Sequence, residues 1–325
     1  VMSYGDYPDD TYTGTSNGDY HKKCIVRSNG VVENFALGVD KATFIPLEGK
    51  DFMDPQYLSE EVDHSWFTYP DGTKTLHPIE GVTDPKFTGP KSGTKEKWEF
   101  LDEDKKYSWI KSPTFKGKTA EVGPLAKYIV VYTKVKQGII KDPTWAESMI
   151  VRQIDTVSQV LGVPAHVWMT TMVGRTACRG LDAQVAANIS QYFFNKLVSN
   201  IKNGDTTVAD MTKFEPNTWD KDAKGVGLVD APRGGLGHWI HIKDGRSANY
   251  QCIVPSTWNA CPKTAANEHG AYEDSMIDTH VKIADKPLEI LKVIHSFDPC
   301  LACATHLYNK KGEKIVSVNT DALCK

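Results

Sequence analysis

Asp142-Pro143-Thr144-Trp145-Ala146-Glu147-Ser148-Met149-Ile150-Val151-Arg152-Gln153-Ile154-Asp155-Thr156-Val157-Ser158-Gln159-Val160-Leu161-Gly162-Val163-Pro164 is the stretch that sets the fold class. Asp142 is of the type that caps a helix, and Pro143 suits the first helical position, where its missing N–H is not needed. Met149, Ile150, Ile154, Val157 and Leu161 recur at helical spacing, and Gly162 and Pro164 end the run. Beyond it the pattern predicts a longer helix from about Ala165 to Lys202. There Val185, Ile189, Phe193 and Leu197 stand four residues apart and share one face. Such stripes are read as core packing, so the expectation is a mainly α fold with a long-helix core.

From Val226 to Ile253 glycines alternate with β-formers, which predicts hairpins. Asp285 is expected to cap a last short helix through Ile294, with Leu288, Leu291 and Ile294 facing inward. Towards the N-terminus, Gly, Pro, Asp and aromatic residues predominate. Cys24-Ile25-Val26-Arg27 reads as a short strand, Val62 to Phe67 as a short helix, and Lys91 to Lys106 as a charged surface stretch.

Of the 325 residues, 40% are hydrophobic and 24% charged, an ordinary globular balance, and the net charge of −3 gives no basic face for nucleic acid. Apolar runs fall far short of the roughly 18 residues that cross a bilayer. The chain begins at Val1 with no charged segment leading into an apolar one, and reads as starting in the middle of a longer protein.

Seven cysteines (24, 178, 252, 261, 300, 303 and 324) are too few and too scattered for a disulfide scaffold of this length. Only Cys300 and Cys303 form a close pair, in Asp298-Pro299-Cys300-Leu301-Ala302-Cys303-Ala304-Thr305-His306. Pro299 biases Asp298 away from helix, so the two thiols should sit on a turn just past the last helix. Thiolates at this spacing suit zinc, iron–sulfur or nickel. A redox dithiol and an incidental pair stay open on spacing alone.

Asp298-Pro299-Cys300-x-x-Cys303-x-x-His306 resembles the C-terminal motif of nickel–iron hydrogenase large subunits. Further segments resemble the same family in the same order: Glu121 to Ala126, Ala231-Pro232-Arg233-Gly234-Gly235-Leu236-Gly237-His238-Trp239, Asn249 to Asn259, and Gly270-Ala271-Tyr272-Glu273. The likeness is nearest to the membrane-associated uptake type. It implies that the hairpins from Val226 to Ile253 lie at the periphery of the helical core. It also implies reversible heterolytic oxidation of dihydrogen to protons and electrons at a Ni-Fe centre whose iron carries CN and CO. Cys300 would be a terminal nickel thiolate and Cys303 a bridge between the metals. Ser256 and backbone beside Pro232 and Pro255 would hold the cyanides. Arg233 would hang over the metals, and Asp298 would orient ligands and relay protons, or simply cap a turn. Cys300 would take the proton, with Arg233 as competitor. His306 would bind magnesium with the backbone carbonyl near Cys252, and Glu121 stands as a weaker candidate there.

The family's other motif, RxCGxCxxxH, is missing from this sequence. The resemblance therefore implies an N-terminal part of the large subunit bearing the other two Cys ligands, and an iron–sulfur small subunit to carry electrons. Residues 1–306 would be the C-terminal part of the large-subunit domain. The tail 307–325 would be removed by a maturation endopeptidase. The implied location is the periplasmic side of the cytoplasmic membrane, peripheral through the small subunit. A non-catalytic relative of the same fold and a zinc-binding module are the alternatives.

Overall fold

A computed structural model describes residues 53–88 and 105–300, apart from scattered single positions, and the backbone of the strands at 24–26, 32–33, 305–308 and 314–318. The first part is built of short strands: β1 (Cys24–Val26), β2 (Val32–Glu33), β3 (Leu58–Glu61), β4 (Phe67–Thr68), β5 (Thr75–Leu76), β6 (Asp84–Pro85), β7 (Ser112–Phe115) and β8 (Ala120–Val122). They form sheets in the orders β2-β1-β8, β5-β3-β7 and β4-β6, with β1 parallel to β8. The strand expected at Cys24 is present. The helix expected over Val62 to Phe67 is not. One ammonium takes the carbonyls that a helix would need, because Lys106 Nζ donates to the carbonyls of Val62 (2.5 Å), Ser65 (2.6 Å) and Phe67 (2.8 Å). Most of the stretch from Lys91 to Lys106 lies outside the described residues.

The helical layer follows: α1 (Pro124–Lys136), α2 (Trp145–Leu161), α3 (Ala165–Met169) and α4 (Met172–Lys202). Tyr128, Ile129, Val130, Ile150, Ile154, Trp168, Met169, Cys178 and Val185 pack into one buried cluster between them. Helix α2 starts two residues later than Asp142-Pro143 suggests. Thr144 is the cap: its hydroxyl accepts the Glu147 N–H, and the Glu147 carboxylate accepts the Thr144 N–H in return. This reciprocal box satisfies two orphan donors at once and so outcompetes the aspartate further out. The long helix expected over 165–202 is two helices. Thr171 interrupts it, its hydroxyl donating to the Trp168 carbonyl at 2.8 Å and accepting the Gly174 N–H at 3.0 Å.

The hairpins are a three-stranded antiparallel meander, β9 (Asp222–Ala231), β10 (Gly234–Lys243) and β11 (Arg246–Ile253). They are not peripheral throughout. Trp239 and Ile253 are buried with Leu58, Phe115, Val122 and Trp258 in a second core, so one face of the meander is interior. Helices α5 (Pro255–Asn259), α6 (Ala271–Met276) and α7 (Leu288–Ser296) complete the body, and β12 (Thr305–Tyr308) pairs with β13 (Lys314–Val318). Helix α7 turns inward on Val293 and Ser296 while Leu288 is exposed; Asp285 lies outside the described residues. Among the described residues helix accounts for 40% and strand for 21%, so the fold is mixed α/β rather than mainly α.

Candidate metal centre

Three chain segments meet around Cys300. The first is the two-residue turn Pro232-Arg233 that joins β9 to β10. Proline fixes φ near −65°, which rules out the primed turns that two-residue hairpins favour. Gly234 absorbs the mismatch at φ 127°, where a side chain would also strike Gly123 N at 2.5 Å and Val122 C at 2.7 Å. The turn is thereby pressed against the loop that leads from β8 into α1.

The second segment is α5, entered through Pro255 at its first turn. The Asn259 side chain mimics a neighbouring strand: its Oδ1 accepts the Val122 N–H and its Nδ2 donates to the Val122 carbonyl, both at 2.9 Å. Helix α5 is thus pinned to β8, and Ser256 with it. The third segment leaves the C-terminus of α7. Arg179 Nη2 caps that helix by donating to the Ser296 carbonyl at 2.6 Å. Asp298 then adopts a left-handed φ of 55°, a conformation that aspartate tolerates better than most residues.

These segments touch through polar groups. Arg233 Nε donates to the Asp298 carbonyl at 2.9 Å and stands 3.2 Å from its Oδ2, with both side chains 38% exposed. The Cys300 N–H donates to Ser256 Oγ at 3.4 Å, and the Cys300 thiol is exposed and in no disulfide. Behind them Tyr272 packs against Phe297 with ring centroids 4.7 Å apart and the planes tilted by 42°. Burial, then the nearby Asp298 carboxylate, pushes the Tyr272 phenol above its ordinary range. The Tyr272 hydroxyl and Arg179 Nε are buried with no well-formed hydrogen bond. Deeper still, Arg175 clasps Glu121 (Nε–Oε1 2.9 Å, Nη2–Oε2 3.2 Å) with both side chains almost fully buried, and lies 4.1 Å from the Phe297 ring centre.

Cys300, Arg233, Asp298 and Ser256 are therefore brought together, with Pro255 buried beside Ser256 and Pro232 exposed on the turn. Cys252 sits on β11 opposite His238 with an exposed thiol. Cys303 lies outside the described residues, and His306 is placed by its backbone alone, opposite Ser317 in the β12–β13 pair. Glu121 is engaged by Arg175. Among the described residues no three His, Cys, Asp or Glu side chains form a group that could hold a metal ion.

The sequence profile of the nickel-dependent hydrogenases matches residues 1–306. This chain belongs to the nickel-dependent hydrogenase family. It is 43% identical over 320 residues to the uptake hydrogenase large subunit of Rhizobium leguminosarum bv. viciae, covering 98% of this chain and 50% of that protein. It is 40% identical over 319 residues to the hydrogenase-1 large chain of Escherichia coli K12, covering 98% and 49%. The chain thus spans about half the length of these curated relatives. The [NiFeSe]-hydrogenase of Dm. baculatum shares the fold with a TM-score of 0.62 at 21% identity, over 92% of this chain and 52% of that one.

Within this hydrogenase fold, sequence reasoning passed over Tyr272, Arg175, Arg179 and Asn259. Two arginines four residues apart at the apolar start of a long helix share a face, and that spacing was the available signal for Arg175 and Arg179. Tyr272 and Asn259 stood inside segments that carried the resemblance, but their partners are distant in sequence.

Proposed function

We propose that this chain is the part of a nickel–iron hydrogenase large subunit that supplies Cys300 and Cys303 to the metals, in an enzyme that reversibly oxidises dihydrogen to protons and electrons. The observation that carries this reading is the turn at Cys300, where Arg233, Asp298 and Ser256 converge in a member of the nickel-dependent hydrogenase family. The residues suit an anionic metal centre in a specific way. Arg179 Nε is buried with no hydrogen-bond partner and the Tyr272 hydroxyl has only Ser256 beside it, and a buried polar group of this kind calls for a partner.

When bound, a nickel–iron centre carrying CN and CO on its iron supplies Lewis acidity and redox capacity. The chain's own groups do the rest. Cys300 and Cys303 would hold the metals as thiolates, and the Cys300 sulfur, exposed on its turn, would accept the proton. Arg233 and Asp298 grip each other across the mouth of the site and keep the thiolate oriented. Ser256, with backbone beside Pro232 and Pro255, offers hydrogen bonds to the cyanides. His306 and the carbonyl near Cys252 would hold magnesium.

The same reading assigns the partners. An N-terminal part of the large subunit brings the other two Cys ligands, and an iron–sulfur small subunit takes the electrons and keeps the enzyme at the periplasmic side of the cytoplasmic membrane. A maturation endopeptidase removes 307–325. The family match ending at residue 306 supports that boundary, and the cut would take away β13, the strand paired with His306.

The test is nickel, iron and H2-dependent dye reduction, measured on native complexes of the unaltered chain and of Cys300→Ala. The unaltered complex should hold both metals and reduce dye. Cys300→Ala should lose nickel and at least ~100-fold in activity, as expected when a transition-state contact is removed. A native complex without nickel, or full activity in the variant, would sink the proposal.

A further inference from the structure

A cavity of about 540 Å³ is lined by Lys74, Lys86, Lys105 and Lys106, with Asp63 as the one carboxylate of its lining among the described residues. The whole chain has a net charge of −3, so four ammoniums around one cavity are a local reversal of sign. The fold gathers them from three stretches of chain. The Lys86 N–H donates to the Trp66 carbonyl at 2.7 Å, which ties the end of β6 to the start of β4. His64 Nδ1 donates to the Lys105 carbonyl at 2.7 Å and brings that stretch alongside. Lys74 Nζ donates to Asp63 Oδ1 at 2.6 Å and so engages the carboxylate.

Lys106 is fixed differently. Its ammonium donates to the carbonyls of Val62, Ser65 and Phe67, which hold the charge in place without a carboxylate bonded to it among the described residues. Burial holds this ammonium below the usual lysine range; Asp63 offsets part of that shift, and Lys86 and Lys74 add to it. Like charges gathered this closely repel, and a multivalent anion placed between them removes that cost. The type of side chain narrows the ligand further. An arginine fork grips a planar carboxylate, and the described lining holds no arginine; a lysine is a point charge, which suits the several oxygens of a phosphate. The volume falls in the range of small-ligand sites, so there is room for a group carried on that phosphate.

We infer that this cavity binds a phosphate group, either free or carried on a small molecule. The site uses none of the side chains that meet around Cys300, and it does not rest on the proposed function.

The test is calorimetric titration of the full chain at low salt and near-neutral pH with inorganic phosphate, glycerol phosphate and acetate. Three forms are compared: unaltered, Lys86→Ala, and Lys202→Ala, which removes one exposed lysine from the end of α4 and so matches the change in net charge. Thermal unfolding checks that all three fold. The unaltered chain should bind phosphate saturably and acetate at least roughly tenfold more weakly, and Lys86→Ala should lose roughly tenfold in phosphate affinity, as when a charged hydrogen bond is removed. Lys202→Ala should keep it. Tighter binding of glycerol phosphate than of phosphate assigns the carried group; equal or weaker binding assigns the free ion. No saturable phosphate binding would overturn the inference, as would equal affinities for phosphate and acetate, or equal losses in the two variants. Asp102, Glu103 and Asp104 directly precede Lys105 in the sequence. If phosphate binds only after these three are changed to Asn, Gln and Asn, the cavity serves the chain's own acids and the inference falls.

Discussion

The two halves of α4 reverse the usual rule of burial. From Met172 to Val185 the helix buries an arginine and a thiol, and from Ala186 to Lys202 it exposes three aromatics in a row. The inner half carries the charge because Glu121 and Ser275 receive it and Phe297 lies under the guanidinium. Burial raises the Cys178 thiol well above its ordinary range, so that cysteine acts as a small apolar side chain and not as a ligand. The outer half has apolar residues at the same helical spacing, but nothing among the described residues covers them. The difference shows that periodicity marks a surface able to pack, while the neighbours decide whether it does.

The sharpest way to break the inner half is Arg175→Ala, which strips the guanidinium from a buried carboxylate. Removing one partner of such a pair costs about 3–5 kcal/mol, and urea unfolding should show a loss of that size. Asn259→Ala removes both bonds that pin α5 to β8 and leaves the Val122 amide and carbonyl buried. A loss of about 2–3 kcal/mol is expected by the same measurement. The nickel content of the native complex should fall with it, because Ser256 shares that helix.

A gentler effect concerns a second buried charge, Glu60, which meets Lys111 at 2.5 Å while its other oxygen has no partner. Burial pushes this carboxyl up, and Lys111 offsets only part of the shift. The folded protein then binds the proton more tightly than the unfolded chain. The group's contribution to stability is full below the ordinary glutamate value of ~4.3, and is lost as pH rises through the raised folded value. Glu60→Gln should flatten that part of the stability-against-pH curve. An unchanged slope would mean that Glu60 keeps an ordinary affinity for its proton. The smallest effect belongs to the outer half of α4. Phe193→Ser should move the stability of the chain alone by no more than about 0.5 kcal/mol. A larger loss would show that the aromatic row is already packed in the chain by itself.

Local signals were legible because a few neighbouring residues contain them. The run Met149 to Leu161 marked helix α2, although its start was read at Asp142 and lies at Thr144; glycines and β-formers alternate from Val226 to Ile253, and Pro299 ends the last helix ahead of Cys300. The motif spacing and the order of the segments resembling the family likewise determined the candidate site, and Arg233, Asp298, Ser256 and Cys300 do converge. Three things were decided only in three dimensions. Val62 to Phe67 gave up helix because Lys106, some forty residues on, claims its carbonyls. Glu121 became the counter-charge of Arg175 across 54 residues. The stripe Val185, Ile189, Phe193, Leu197 passes from buried at its start to exposed at its end. The physical reason is common to all three. A cap or a period is a property of adjacent residues, whereas burial and charge pairing are properties of whichever surface the rest of the fold brings alongside.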